Sequence, residues 1–581
     1  MNGFTQNLIS YTKTAGLGVK ELKNLSLSTL RKVFSLMGRR EKIALATLAA
    51  LAGFSFFASA KNAYYNHTSP AADFGGIYSE GLLGQPTYIN PLLARSEPDL
   101  SLTKLIFAAL YKYDSNGQLA ADLADSMPAI SADQKQYTVN LKHGAKWHNG
   151  KPVTADDVVF TIQTLKDPAY KSPLRALWQS TSVEKLSDYS VKFTTKDISG
   201  PFLDNLTLAV LPKGVWNGVD PQSFLLSKVN LEAIGSGPYS IKEIKKLPSG
   251  KIQQITLQAY QDYYQGSPKI DQVIFKLYDS EEDILNAFHS REIQGFGFVP
   301  LGSDLFIDKN QDQSQVLTVP LPQYQVVFFN LNNKILAGQK VRQALSLATD
   351  KRQIINQIFK NNALLPVSPL VFNSDSKIMD SNVDAAEAKK ILDQDGWTVD
   401  PKTNIRAKKG VGLEITITTN DSLVNSKAAE TLAAQWHNLD IKVNLNILPS
   451  KELMDTLIKP RNFDVLLFPQ KFGADPDPFL FWHSSQVKDP GFNLTGFADA
   501  NIDKLITDAR TTTDKNIRGA KYTEFNNAIT ASFAVIFLDQ TEYIYTVDKK
   551  VKNVASNVLY DPSQRFNNIS NWYMVEKRVW K

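Results

Sequence analysis

The chain of 581 residues has no cysteine. Disulfides, thiolate metal sites, cysteine nucleophiles and a lipid carried on an N-terminal cysteine are therefore excluded. The redox compartment stays open, because exported proteins also do without cysteine. Histidine is scarce, with six in all. His143 and His148 stand five apart across a glycine and a turn with no third ligand at useful spacing, which favours ordinary hydrogen-bonded histidines over a metal site. Neither a Gly-x-Ser-x-Gly elbow, nor His-Glu-x-x-His, nor a phosphate loop occurs, so catalysis is not expected and no cofactor is implied. A repeat of 20–50 residues is also missing, which argues against a solenoid. Outside the N-terminus there is no charge excess. Residues 1–42 hold eight of the 64 basic and two of the 58 acidic residues, leaving 56 of each in the remainder. A neutral body speaks against a nucleic-acid partner.

What is present is an ordinary globular composition, 43% hydrophobic and 21% charged. The length exceeds one hydrophobic core, so two or three domains are expected. Ile43–Ala60 is an uncharged run of eighteen residues that spans about 27 Å as a helix, near the low end for crossing a bilayer. Arg39, Arg40 and Lys42 precede it and only Lys61 closely follows, which keeps residues 1–42 cytoplasmic and the body outside. Two outcomes fit: a retained transmembrane anchor, or a signal cleaved after Ala58-Ser59-Ala60. Upstream, Leu22, Leu25, Leu30, Val33, Phe34 and Met37 recur at near-helical spacing, as an amphipathic helix on the membrane surface or a solvated leader would have them. Residues 61–72 read as a linker.

The body alternates strands with helices. Ser96 with Asp99, Thr154 with Asp157, and Asp384 with Glu387 are spaced as capping boxes. Strands are expected at Tyr137–Leu141, Val191–Thr195, Ile252–Leu257, Gln272–Leu277, Tyr324–Leu331, Glu414–Thr418, Ile441–Ile447 and Val535–Asp539, and Tyr543–Val547 lies in the stretch that closes the chain. Leu423–Leu439 and Ile517–Ala531 read as long helices. Tyr260–Tyr264 reads as an aromatic cluster on an outer face. Helices between strands imply an α/β layer with partly parallel strands.

One stretch concentrates polar and aromatic character. Phe463–Phe468 reads as a buried strand and runs into Gly473–Ser485, GADPDPFLFWHSS. Two aspartates, two prolines, three aromatics and a histidine fall in these thirteen residues. Pro476 and Pro478 lack amide donors and end the ladder, leaving a stiff acidic loop of the kind that lines clefts. The alternative is a Pro-stiffened turn whose Asp475 and Asp477 cap the next helix.

Ordered motifs along the body carry a resemblance. They are Gly75-Gly76 with Asn90-Pro91, Tyr137 through Gly144, Trp147-His-Asn-Gly150, Thr154-Ala-Asp-Asp157, Gly235-Ser-Gly-Pro-Tyr239, and Val341-Arg-Gln-Ala-Leu345 with Asp350-Lys351. Ala388–Leu392 with Gly396-Trp397, Asp475-Pro-Asp-Pro478 and Asn493–Phe497 complete them. From about Phe74 onward the chain resembles the family 5 extracytoplasmic solute-binding proteins, the oligopeptide and dipeptide receptors of ABC importers. The resemblance implies an α/β, two-lobed periplasmic-binding-protein-like clamp of the large type II (cluster C) kind with an extra subdomain, here preceded by the N-terminal helix. Lobe I would be residues 73–318 plus 534–581, with 94–230 as its subdomain, and lobe II residues 319–533. Hinges near Thr318–Pro320 and Ala531–Phe537 would let the lobes close on ligand.

The partners implied are a peptide or other small solute (an oligosaccharide, opine or metal chelate as alternatives), ABC permease subunits, and the membrane at its extracytoplasmic face. A surface receptor without transport is a further alternative. Glu80, Gly81, Leu82 and Leu83, together with Lys471, Phe472, Gly473 and Ala474, would offer strand-like hydrogen bonds to a ligand backbone. Asp475 would attract an amino terminus, and Trp482 or Phe472 would cover apolar parts. Two departures stand out besides the missing lipid-bearing cysteine. Asp440 stands where relatives often have glycine. Asp475 lies closer to the Pro-rich turn than the aspartate that holds the amino terminus in the peptide receptors, so Ala474 or Phe472 competes for that position.

Overall fold

The computed structural model describes residues 31, 34–35, 37–298, 313–359, 363–366, 368–370, 383–512, 514–555 and 557–581. Most of the amphipathic pattern expected upstream of Met37 lies outside the described residues. The chain divides into two compact units, residues 1–73 with 576–581 and residues 74–575.

In the smaller unit the apolar run is part of a 29-residue helix, α1 (Arg39–His67), none of it buried. At 1.5 Å per residue it is about 43 Å long. The expected linker is not one: residues 61–67 continue the helix, and Thr68–Asp73 forms a strand paired with Val575–Trp580. Arg578 fastens this ladder by donating to the Thr68 hydroxyl at 2.8 Å and to its carbonyl at 2.8 Å. Tyr64, Tyr65 and Trp580 gather beyond the apolar run, with Tyr64 and Trp580 rings 6.1 Å apart and the Arg578 guanidinium 4.3 Å from the Tyr65 ring.

The larger unit is built on one eleven-stranded sheet. Its strands in chain order are β1 (Ile77–Leu83), β2 (Tyr239–Lys246), β3 (Ile252–Ala259), β4 (Gln272–Tyr278), β5 (Gly295–Phe298), β6 (Ser314–Phe329), β7 (Glu414–Asn420), β8 (Lys442–Leu448), β9 (Val465–Lys471) and β10 (Val535–Asp548). They run β8-β7-β9-β6-β10-β5-β1-β4-β3-β2 across the sheet, and short Ala363–Leu364 pairs with β10. Parallel pairs (β1 with β4 and β5, β7 with β8 and β9) mix with antiparallel ones, as the alternation of helices and strands implies.

Strands β6 and β10 carry the connection between two sets of cores. One core gathers residues of 78–277 with 543–572 and ends on β6 at Val319 and Leu321. Two others cover opposite faces of the β7-β9-β6 region, one holding Val327, Trp436 and Ile536, the other Tyr324, Phe472 and Phe537. The ladder of β6 with β10 is broken between them, at Pro320/Tyr324 and again at Gln325/Val326. Pro320 and Pro322 supply the cause, since neither can donate to a ladder. The sequence placed hinges near Thr318–Pro320 and Ala531–Phe537. The first register break follows directly on Pro320, whereas residues 535–537 lie in regular pairing with β6. The strand expected at Val535–Asp539 runs on through Tyr543–Val547 to Asp548.

Beside the first core, a four-stranded sheet of Ala129–Ile130, Gln136–Asn140, Ser190–Thr195 and Thr181–Ser187 packs near helix Ala155–Lys166. Asp157 caps that helix by accepting from Thr154 N at 2.9 Å. Helix α2 (Glu97–Ile106) starts with the expected box, Ser96 accepting from Asp99 N at 3.2 Å. Tyr260–Tyr264 differs from its reading: Tyr263 is buried and the Tyr264 hydroxyl reaches Asp122 at 2.7 Å. His148 is a structural histidine, accepting from Gly235 N at 3.2 Å and facing the Gly237 carbonyl at 3.1 Å, and burial lowers its pKa to about 4. Asp440 adopts φ 62°, the left-handed conformation that explains why glycine suits this place. Lys389 meets its carboxylate at 3.1 Å.

Candidate functional site

Strand β9 ends at Lys471, and residues 473–478 lead into the single-turn helix α3 (Phe479–Trp482). Two further helices, α4 (Ala500–Arg510) and α5 (Lys515–Ser532), supply cations to this loop. Arg518 and Tyr522, one turn apart on the same face of α5, take both oxygens of Asp475. Arg518 Nη2 lies 3.0 Å from Oδ2, and the Tyr522 hydroxyl donates to Oδ1 at 3.2 Å. The Asp475 side chain is only 6% exposed. Burial raises its pKa to about 6 against the opposing pull of Arg518, with Asp204 and Asp477 adding to the rise. Arg510 holds Asp477 at 2.9 Å while its guanidinium lies 4.3 Å from the Phe479 ring centre. Asp477 also accepts from Phe479 N at 3.1 Å, a turn at the entry to α3 rather than the cap the alternative reading expects of Asp475 and Asp477, since Pro478 holds the N-cap position.

The segment after the four-stranded sheet meets this loop from the other side. Gly200 N donates to the Arg510 carbonyl at 2.9 Å. A Cβ at Gly200 would overlap the Arg518 guanidinium and stand 3.0 Å from the Thr512 carbonyl oxygen. Tyr113 donates to Asp204, and the Asp204 charge reaches Asp475. A second bridge joins Lys471 to Asp561 at 3.0 Å. Burial opposes ionisation of Asp561, but Lys471 and the Ser563 amide outweigh it and hold the carboxyl below its usual range. The two sets of cores are thus in contact away from the β6–β10 connection.

The residues expected at the site divide sharply. Glu80 is fully buried: Arg565 chelates Oε1 with Nη2 at 2.6 Å and Nε at 2.9 Å, while Tyr78 and Tyr545 donate to Oε2 at 2.6 and 2.8 Å. The backbone at Glu80 and Gly81 is paired with β4 on one side and β5 on the other, so no edge is open there for an added strand. A Cβ at Gly81 would stand 2.7 Å from Ile293 Cδ1, and Leu82 is buried. Leu83 is half-buried.

Phe472 packs between Tyr324 and Phe481, and Trp482 against Phe497 and Phe525; both are core side chains rather than covers for a ligand. Phe472, just past the end of β9, and Trp482, on the one-turn helix, both point inward, which an aromatic-rich sequence does not reveal. Gly473 is exposed, Ala474 half-buried, and Lys471 is exposed at the end of β9. Arg510, Arg518, Tyr522, Gly200 and Asp204 were not foreseen. For Arg518 and Tyr522 the i, i+4 spacing in an expected helix was the available signal.

Residues 118–491 match the family described as bacterial extracellular solute-binding proteins, family 5, middle region. Oligopeptide-binding protein AppA of Bacillus subtilis (strain 168) is 27% identical over 555 residues, which is 93% of this chain and 100% of that protein. Its structure in complex with a nonapeptide superposes with a TM-score of 0.71 at 26% identity, covering 87% of this chain and 100% of that one. NikZ from Campylobacter jejuni in complex with Ni(L-His) gives 0.70 at 26% identity, covering 86% and 99%. With two sets of cores joined through β6 and β10, a mixed α/β sheet and a match over most of its body, the chain belongs to the family 5 bacterial extracellular solute-binding proteins.

Proposed function

We propose that the protein is an extracytoplasmic receptor that captures peptides between two lobes and delivers them to an ABC importer. Lobe I comprises residues 73–318 and 534–581, with 94–230 as a subdomain, and lobe II residues 319–533. The observation that carries the reading is the pairing of a weakened connection with a polar closure. The β6–β10 ladder breaks at Pro320/Tyr324, while Lys471–Asp561 and Gly200–Arg510 meet across the lobes. Such a form reports occupancy to a transporter only if ligand favours it over the open one. Ligand backbone pairs with Lys471–Ala474, where Gly473 is exposed. Asp475 is tied to Arg518, so an amino terminus must share or displace that pair.

Residues 43–60 anchor the receptor. Tyr64, Tyr65 and Trp580, with Lys61 and Arg578, have the composition of a membrane–water interface. Calorimetry of the full-length protein in detergent with a mixed short-peptide pool tests the ligand class, and heat of binding is expected. Silence with every peptide, with heat from a metal chelate instead, overturns it. That second reading is favoured by one feature, the neutralised Asp475, because a chelate brings its own donors and needs no free carboxylate to hold an amine. Co-purification with permease subunits separates transport from a receptor role without it.

A further inference from the structure

A cavity of about 330 Å³ lies beside the closure contacts, between α2, the 107–113 segment, residues 207–209 and residues 561–570. Its polar lining is largely spent. Asp122 holds Lys112 at 3.4 Å and accepts from the Tyr264 hydroxyl and from Gln265 Nε2, each at 2.7 Å. Asp561 accepts from Ser563 N at 2.9 Å and faces Lys471. Tyr113 is committed to Asp204. Lys104, in the last turn of α2, is the exception. It lines the cavity and is half-buried, yet it makes no hydrogen bond or ion pair among the described residues. Thr103 Oγ1 and Asn567 Oδ1, from two other lining residues, are buried and also without partners.

An ammonium partly withdrawn from water without a direct counter-ion is costly, and an anion that completes it lowers that cost. The charged groups around it are Asp122, Lys112 and Asp561. Both carboxylates already serve other lysines, so the field that remains at the ammonium favours an anion. The cavity is too small for a folded partner and large enough for one or two residues of extended chain. It adjoins the closure, since Asp561 and Tyr113 line it and also take part in, or lead to, the contacts with lobe II.

We propose that this cavity is a carboxylate subsite, with Lys104 as its cation, receiving the carboxylate end of a bound ligand. The inference rests on the peptide reading only for the identity of the molecule that carries the carboxylate, which is either a C-terminus or an acidic side chain. Desolvation lowers the Lys104 pKa to about 8 in the unliganded protein. Carboxylate binding therefore weakens as pH rises through about 8, where the free ammonium loses its proton.

The test uses the full-length protein in detergent with trialanine, trialanine amide and Ala-Glu-Ala amide as probes, on wild type, Lys104→Met and Lys104→Arg. A charge-assisted contact makes the free acid bind about tenfold or more tightly than the amide. Lys104→Met removes that preference and Lys104→Arg retains it. Ala-Glu-Ala amide recovering the affinity assigns the subsite to a side chain, and failing to do so assigns it to the C-terminus. An independent arm needs no peptide: glutarate protects Lys104, read by mass spectrometry, from an amine-labelling reagent. If no peptide binds but glutarate protects, the peptide reading falls and the carboxylate subsite stands. An acid-to-amide ratio unchanged by Lys104→Met, or Lys104 labelling indifferent to glutarate, overturns the subsite.

Discussion

Asp539 sits on β10 opposite Gln325, between the two register breaks, fully buried with neither carboxylate oxygen hydrogen-bonded among the described residues. Burial alone raises its pKa from 3.8 to about 8. The folded chain therefore keeps a proton that the unfolded chain releases, so stability declines as pH rises from about 4 to about 8 and is flat beyond. About three pH units separate 3.8 from neutrality, each ~1.4 kcal/mol, so Asp539 costs about 4 kcal/mol at pH 7 relative to pH 4. Asp539→Asn has no such proton to lose, and its amide is as poorly partnered as the protonated acid. The variant should match wild type near pH 4 and exceed it by about 4–5 kcal/mol at pH 7–8. Denaturant midpoints followed by tryptophan fluorescence at several pH values, compared as wild type minus variant, cancel the similar contribution of Asp475. An equal pH slope in the two proteins, or a variant less stable than wild type at pH 8, would refute the reasoning.

Other perturbations have distinct expected outcomes. Arg565→Ala strands Glu80 as a buried charge and should cost about 3–5 kcal/mol, seen as a fall in thermal midpoint; less than 1 kcal/mol would show the pair to be dispensable. Arg518→Met removes the cation that opposes burial at Asp475, so the Asp475 pKa should move above about 6, measurable by carboxyl NMR titration, and an unchanged value would exclude the pairing. Gly200→Val crowds Arg518 and the Thr512 carbonyl and should lower ligand affinity by holding the lobes apart, with little change in denaturant midpoint; unaltered affinity would remove Gly200 from the closure. Lys471→Ala, acting on a half-exposed pair, should change stability by no more than about 1 kcal/mol, and a larger loss would show that the pair is better shielded than its exposure implies.

The sequence made the alternation of strands and helices readable because it is written in local patterns. Capping boxes at Ser96 and Thr154 and the acidic loop at 473–478 all depend on neighbours within a few residues. The site was far less legible. Glu80 was taken for a ligand contact because its partner Arg565 is 485 residues away, and no local pattern announces such a pair. Phe472 and Trp482 were assigned to ligand because aromatics near a Pro-rich loop suit either a cleft or a core, and only the packing of Tyr324, Phe481 and Phe525 decides it. Arg518 is illegible in the sequence because an arginine on a surface helix reads as solvated until the loop it meets is known. The strand continuing through Gln540–Glu542 was hidden by the same polar residues that mark the register break.

The pairing of Thr68–Asp73 with Val575–Trp580 also dictates an order of assembly. Asp73 leaves the ribosome 504 residues before its partner Lys577, so that small ladder can zip only after Val575–Trp580 has been made. A nascent chain must build everything in between with its first strand unmatched, and a premature stop anywhere before Val575 leaves that strand exposed as a sticky edge.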